Sequence, residues 1–226
     1  MLAFKPRIEK VVIKDAKQRT FITDDESRDN LVNLVYDITY GTVRKGIDTL
    51  VVLDDSIVRG TTLKQSILRI LDRLGPKKII VVSSAPQIRY PDCYGIDMAV
   101  IGKFVAFEAT ILLLKERGKE KWLDEAYKRA KQELEKPKED QVNIVKELYS
   151  AFSTTEISDK IAAMIRPREL NAGFELIYQS IEGLHSACPD HKGDWYFTGR
   201  YPTPGGNKVS NQAFVNYMEG SSRRAY

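Results

Sequence analysis

Residues Leu50 to Thr62 read LVVLDDSIVRGTT: an unbroken apolar run, two adjacent carboxylates, then a short loop ending Arg-Gly-Thr-Thr. A continuous apolar run bounded by polar residues suits a strand buried on both faces of a parallel sheet. The chain then leaves that sheet at its carboxyl edge, where open α/β sheets bind ligands. Gly60 lets the backbone approach an anion closely, and the Thr61 and Thr62 hydroxyls, with the amides opening the next helix, can cradle a phosphate. Asp54 and Asp55 carry the wrong sign for phosphate and are assigned to another part of the ligand. Vicinal ribose hydroxyls donate to carboxylates, so the loop fits a sugar phosphate, ring hydroxyls toward the aspartates and phosphate toward the threonines. Taken singly, an Asp pair ending a strand and a Thr capping a helix are the commoner reading of such residues. The order of the whole run is what carries the assignment.

Outward from this loop, Ile67, Leu68, Ile70, Leu71 and Leu74 form a helical stripe that Gly75-Pro76 stops. Lys78 to Ser83 (KIIVVS) is a second buried strand, so the segment predicts a β-α-β unit with a right-handed crossover. Met98 to Ile101 is a candidate third strand. Upstream, Val11 to Ile13 is a short β-type stretch, and a helix is expected over about Asp24 to Tyr40, stopped by Gly41. From Phe104 the pattern turns helical: 104–117, 119–134, 140–152, a capping box Ser153-Thr154-Thr155-Glu156 opening a helix through Ile165, and one more helix over 170–184. The stretch from Pro189 is rich in Gly, Pro, Asn and aromatics, with a turn expected at Thr203 to Gly206. Trp195, Tyr196, Phe197 and Tyr201 suggest an ordered tail docked on the body, with disorder as the alternative. The expected fold is α/β: a partial parallel sheet with a β-α-β core, followed by a mainly helical C-terminal extension.

Composition narrows the function classes. The chain has 226 residues, 42% hydrophobic and 29% charged, ordinary values for a globular protein with room for one sizeable core. No apolar run approaches the roughly 20 residues that span a bilayer, and the start, MLAFKPRIEK, lacks a signal-peptide core, so a cytoplasmic location is expected. The net charge of +4 suits an anionic substrate. Charges of both signs are interspersed and no basic run recurs with aromatics, so neither nucleic acid nor membrane is an expected partner. Cys93 and Cys188 are too few for a disulfide framework and fit a reducing compartment. His185, Cys188 and His191 are spaced by threes in HSACPDH, but a zinc set normally wants a fourth ligand, and no metal-binding residue is assigned.

A second stretch, Ser83 to Met98, reads SSAPQIRYPDCYGIDM. With the Leu50 to Thr62 loop it resembles glutamine amidophosphoribosyltransferase, a type I phosphoribosyltransferase whose loop holds 5-phosphoribosyl pyrophosphate (PRPP). The close resemblance covers Leu50 to Met98, and Lys17 to Thr23 is similar more loosely. It implies that residues 1–102 are the C-terminal part of a phosphoribosyltransferase domain and that residues 103–226 are a helical extension with an aromatic, Gly-rich tail. It also implies formation of phosphoribosylamine from PRPP and glutamine-derived ammonia in purine synthesis. Asp54 and Asp55 would hold the ribose hydroxyls, with Arg59 beside them in the catalytic set. Ser56, Arg59, Gly60, Thr61 and Thr62 would hold the 5-phosphate.

Magnesium is expected to arrive with PRPP, held largely by its hydroxyls and pyrophosphate. PRPP and purine nucleotides are the implied ligands, and a homo-oligomer the implied assembly. Lys17 and Arg19 fall in the region of the family's closing loop. Arg89, Tyr94 and Asp97 either shape the site or form a rigid turn fixed by Pro86 and Pro91. No iron-sulfur cluster is expected: the C-terminal Cys-x-x-Cys pair is missing and Cys93 lies beside the family's position. Position 2 is Leu2 and both cysteines lie deep in the chain, so glutaminase activity is not expected of it. Too few residues precede Leu50 for the pyrophosphate loop, and a glutaminase and transferase region is the expected missing partner. A PRPP- or nucleotide-binding module without catalysis is the alternative.

Overall fold

The computed structural model of the chain describes residues 8, 12–14, 36–38, 41–94, 98–191, 193–221 and 223–225. Strands β1 (Val12–Lys14) and β2 (Tyr36–Ile38) pair antiparallel, Val12 opposite Ile38 and Lys14 opposite Tyr36. A separate three-stranded sheet has the order β3 (Thr49–Asp54), β4 (Lys78–Ser83), β5 (Gly173–Tyr178). At the strand starts, Lys77 N donates to Asp48 O (2.8 Å) and Gly173 N to Lys77 O (3.0 Å). At the ends, Ser84 N donates to Asp54 O (2.8 Å) and Gln179 N to Ser83 O (3.1 Å). Starts pair with starts and ends with ends, so the sheet is parallel and its carboxyl ends share one edge.

The chain divides into two compact units. The first comprises Met1–Val52, Thr61–Ile80 and Ile165–Glu175. In it a π-helical turn (Leu63–Ile67) runs into α1 (Leu68–Asp72), and Leu68, Ile70 and Leu71 bury the stripe read from the sequence. Gly75, at φ +69°, turns the chain out of this helix, and its amide donates to Asp72 O (2.9 Å). The Asp72 carboxylate accepts from Asn171 N (3.1 Å), Asn171 Nδ2 (3.0 Å) and Ala172 N (2.9 Å), which fastens the approach to β5. An ion pair between Lys78 and Glu175 joins neighbouring strands.

The second unit comprises Leu53–Gly60, Val81–Met164 and Leu176–Tyr226. It carries α2 (Val105–Glu116), α3 (Glu120–Glu135), α4 (Val145–Ser150), α5 (Thr154–Ile165), α6 (Ile181–Ala187), α7 (Trp195–Thr198) and α8 (Pro204–Met218). Helix α8 packs on α3 and α4. Phe107 of α2 meets Phe214 and Tyr217 of α8 edge-on, with centroids 6.3 and 4.9 Å away. The expected capping box forms: Ser153 Oγ accepts from Glu156 N (3.2 Å) while the Glu156 carboxylate accepts from Ser153 N (2.8 Å).

Several expectations are corrected. Residues 170–184 are not one helix but β5 and α6, with Ser180 Oγ capping α6 by accepting from Gly183 N (2.8 Å). The third strand of the sheet is therefore β5, and Ile101–Lys103 is a 3-10 turn. Within the helix expected over 24–40, Tyr36–Ile38 is strand, and residues 24–35, 39 and 40 lie outside the described residues. The helix expected over 140–152 is shortened to α4, because Asn143 Oδ1 takes the Val145 amide (3.1 Å) and Asn211 Oδ1 takes the Ile144 amide (3.0 Å). The turn expected at Thr203 to Gly206 opens α8, with Pro204 at the first helical position, where a missing N–H costs nothing. Strand β3 is not buried on both faces: Val51 is 62% and Leu53 74% exposed on this outer strand of the sheet.

Asp72→Ala removes the acceptor of three hydrogen bonds at the entry to β5. It is expected to lower unfolding stability by about 2 kcal/mol in urea denaturation, and an unchanged midpoint would contradict this anchoring role.

Candidate functional site

Strand β3 ends on Asp54, whose carbonyl is held by Ser84 N, so the next residues leave the sheet at its carboxyl edge. Asp55 and Arg59 are exposed, and Ser56 and Gly60 are half-buried. Between them Ile57 is buried at 3% exposure, and Val58 O accepts from Val105 N (2.8 Å), so the loop is tied to α2 at its middle. Gly60 has φ +70°, the left-handed region that a residue with a Cβ rarely adopts. Residues 53–60 belong to the second unit; Thr61 and Thr62 belong to the first and open its helix. Both threonines are exposed, and the Thr62 side chain makes no capping hydrogen bond. The capping reading therefore does not account for Thr62. The π turn that follows is a geometry found often at functional sites.

The stretch after β4 divides into two jobs. Ser83 and Gln87 are buried, and Gln87 Oε1 accepts from Arg89 Nε (3.0 Å) and from its terminal NH2 (2.8 Å). That NH2 also donates to Thr154 Oγ1 (3.2 Å), and the guanidinium lies over the Tyr149 ring at 5.2 Å. Tyr90 to Tyr94 instead serve as an anchor. Asp92 is 0% exposed, accepts from Tyr196 Oη (2.7 Å) and from Tyr94 N (3.0 Å), and Tyr201 Oη donates to Pro91 O (2.8 Å). Tyr94 is exposed and its ring meets Trp195 edge-on. Lys17, Arg19 and Asp97 lie outside the described residues.

Two site-edge residues escaped the sequence reading. Tyr178, at the end of β5, is close enough to Asp54 for that carboxylate to push its phenol up, beyond the larger effect of burial. Gln87 organises Arg89. The alternation of Phe174, Leu176 and Tyr178 was the available signal for Tyr178. Among the described residues, no group of three or more His, Cys, Asp or Glu is placed to hold a metal ion, and no helix is long and apolar enough to cross a membrane.

The site belongs to the class in which an α/β sheet presents an acidic strand end and a glycine-bearing loop at its carboxyl edge. No family model matches the chain. Part of it is similar to amidophosphoribosyltransferases: that of Pasteurella multocida is 48% identical over 58 residues, 26% of this chain and 11% of the relative. The Saccharomyces cerevisiae amidophosphoribosyltransferase is 44% identical over 66 residues, 29% of this chain and 12% of the relative. The matched stretches thus span about a tenth of these relatives' length. Among solved structures, the chain is similar to the glutamine PRPP amidotransferase of B. subtilis complexed with ADP and GMP. That likeness has 25% identity and a TM-score of 0.48 over 86% of this chain and 32% of that one.

Burial raises the Asp54 carboxyl above the ordinary carboxylate range, and a hydrogen bond and like-charge repulsion from Asp55 add to it. The folded state therefore keeps the Asp54 proton to higher pH than the unfolded chain does. Its stability contribution is complete below the ordinary carboxylate range and is lost as pH rises through the raised value. Asp55→Asn is expected to move the Asp54 midpoint down while burial keeps it above the ordinary value, as read by carboxyl-carbon NMR titration. A midpoint that does not move would remove Asp55 as a cause.

Proposed function

We propose that Asp54 to Thr62 is the ribose-5-phosphate end of a PRPP site, and that the chain is the phosphoribosyltransferase portion of an amidophosphoribosyltransferase. In this reading the complete enzyme forms 5-phosphoribosylamine from PRPP and glutamine-derived ammonia in purine synthesis, and the isolated chain is inactive. The observation that carries the reading is the order of groups at the end of β3: two carboxylates, then a left-handed Gly60, then two exposed threonines at a helix start. The partial identity with amidophosphoribosyltransferases supports it.

Displacing pyrophosphate from C1 develops positive charge on the ring and negative charge on the leaving group, so catalysis is mostly positioning and charge stabilisation. Asp54 and Asp55 accept the ribose hydroxyls and hold the ring. Their charges also favour the cationic ring that develops at C1. Arg59, exposed and without an ion pair among the described residues, offers charge-assisted donors to a phosphate. The Gly60 backbone and the hydroxyls of Ser56, Thr61 and Thr62 complete the cradle. Magnesium would come with PRPP, held largely by its hydroxyls and pyrophosphate, and would offset charge on the leaving group.

Asp54→Asn with Asp55→Asn is expected to weaken PRPP binding at least tenfold or so while leaving the circular dichroism unchanged, since hydrogen bonds to charged groups contribute about 1.5–3 kcal/mol each. Equal affinity of parent and double variant in a calorimetric titration would refute the ribose assignment.

Supplied with PRPP, magnesium and ammonia, the chain alone is expected to release little pyrophosphate. In this reading the Asp54 to Thr62 loop holds the ribose 5-phosphate and no residue is assigned to the leaving pyrophosphate, and losing even one donor to such a group costs on the order of a hundredfold in rate. Binding of PRPP or a nucleotide monophosphate without turnover, even when a glutaminase and transferase region is supplied, is the result that would favour a non-catalytic binding module. Turnover at the rate of a complete enzyme would refute this expectation.

A further inference from the structure

We propose that the cleft between the carboxyl ends of β4 and β5 and the first turn of α5 binds a small organic anion. Its carboxylate or phosphate ester meets Arg89, and its apolar body rests on Pro86, Ile177 and Phe197. The cleft has a volume of about 450 Å³, within the range of small-molecule sites, and lies wholly in the second unit. None of the lining belongs to the Asp54 to Thr62 loop, although Tyr178 also senses Asp54, and the proposal does not rest on the phosphoribosyl reading.

Three observations converge on an anionic ligand. Arg89 lines the cleft and forms no ion pair among the described residues: its partners are the neutral Gln87 and Thr154 side chains and the Tyr149 ring. Burial depresses this guanidinium, with only the neighbouring tyrosines acting against it, so a charge has been withdrawn from water without a counter-charge. Such a group gains most from an incoming anion. Second, the Arg89 fork is pre-set. Gln87, 2% exposed, accepts from two of its nitrogens and is itself fixed by donating to Thr154 O (2.9 Å) and Ser158 Oγ (2.7 Å). Third, Tyr178 also lines the cleft, and its buried hydroxyl has no hydrogen-bond partner among the described residues. A ligand oxygen would satisfy it.

Asp159 and Glu182 also line the cleft, and both are exposed. Neither contributes to the electrostatics of Arg89, so they mark a solvated rim, where charges are screened. The walls supply the rest of the recognition, since Pro86, Leu176, Ile177, Ile181 and Phe197 are apolar. An inorganic ion would leave those walls unused.

The test is an NMR titration of the full 226-residue chain with phenyl phosphate, benzoate, inorganic phosphate and phenol. Phenyl phosphate or benzoate should shift the amides of residues 86–89 and 176–182, and the stronger of the two identifies the anionic head. Arg89→Gln should weaken that probe about tenfold or more, the loss expected for a hydrogen bond to a charged group. Because Arg89→Gln also disturbs Gln87 and Thr154, Ile177→Trp provides an independent arm: it fills the cleft from an exposed strand position and should block the probe equally.

Phenol binding as tightly as the anions would overturn the proposal, as would inorganic phosphate binding as tightly as phenyl phosphate. Undiminished binding in either folded variant, or no shifts at these residues with millimolar phenyl phosphate and benzoate, would do the same.

Discussion

The parallel pairing of β4 with a strand on each side is the constraint from which the rest follows. Ser84 N holds Asp54 O, and Ser83 O holds Gln179 N, so three chain segments end level with one another at one edge. In a parallel sheet every residue after a strand end must leave on that same side. The acidic loop after β3, the Gln87 and Arg89 stretch after β4, and Tyr178 closing β5 are brought to a common edge by backbone hydrogen bonds alone. Side chains then decide what each does there.

What the sequence made legible was local. LVVLDD and KIIVVS are runs too short for helices and bounded by polar residues, and both are strands. The helix stripes of α2, α3 and α5 and the Ser153–Glu156 capping box are likewise set by neighbours within one or two turns. Strand β5 was illegible for a physical reason. Leu170, Phe174, Ile177, Ile181 and Leu184 satisfy a helical period, while Phe174, Leu176 and Tyr178 satisfy a strand period, and only pairing with β4 decides between them. The partner lies 95 residues earlier in the chain, the difference between Gly173 and Lys78. Strand β3 misled in the opposite way: its apolar content implied burial, yet as the outer strand it leaves Val51 and Leu53 exposed.

The candidate site was legible as a loop and not as a surface. Asp54, Asp55, Gly60 and the two threonines stand where their order put them, because a strand end, a left-handed glycine and a helix start are consecutive in the chain. The Ala85 to Tyr94 stretch could not be divided in advance. Gln87 and Arg89 face the cleft, whereas Tyr90 and Asp92 turn inward to Tyr149 and Tyr196. The groups that make this division are on α4, α5 and α7, far away in sequence.

Burial places Asp54 at a cost, since a carboxylate leaving water is disfavoured and Asp55 beside it adds repulsion. A fold selected for stability alone has no reason to keep two carboxylates adjacent at a strand end, one of them half-buried. Arg89 poses the same problem with the opposite sign, a cation withdrawn from water among neutral partners. The two charges do not answer one another: no ion pair joins them among the described residues. Each is left with electrostatic demand that an external group can satisfy, donors for the aspartates and an acceptor for the arginine. Each unmet demand is what a ligand-binding site presents and what a purely structural strand end would avoid.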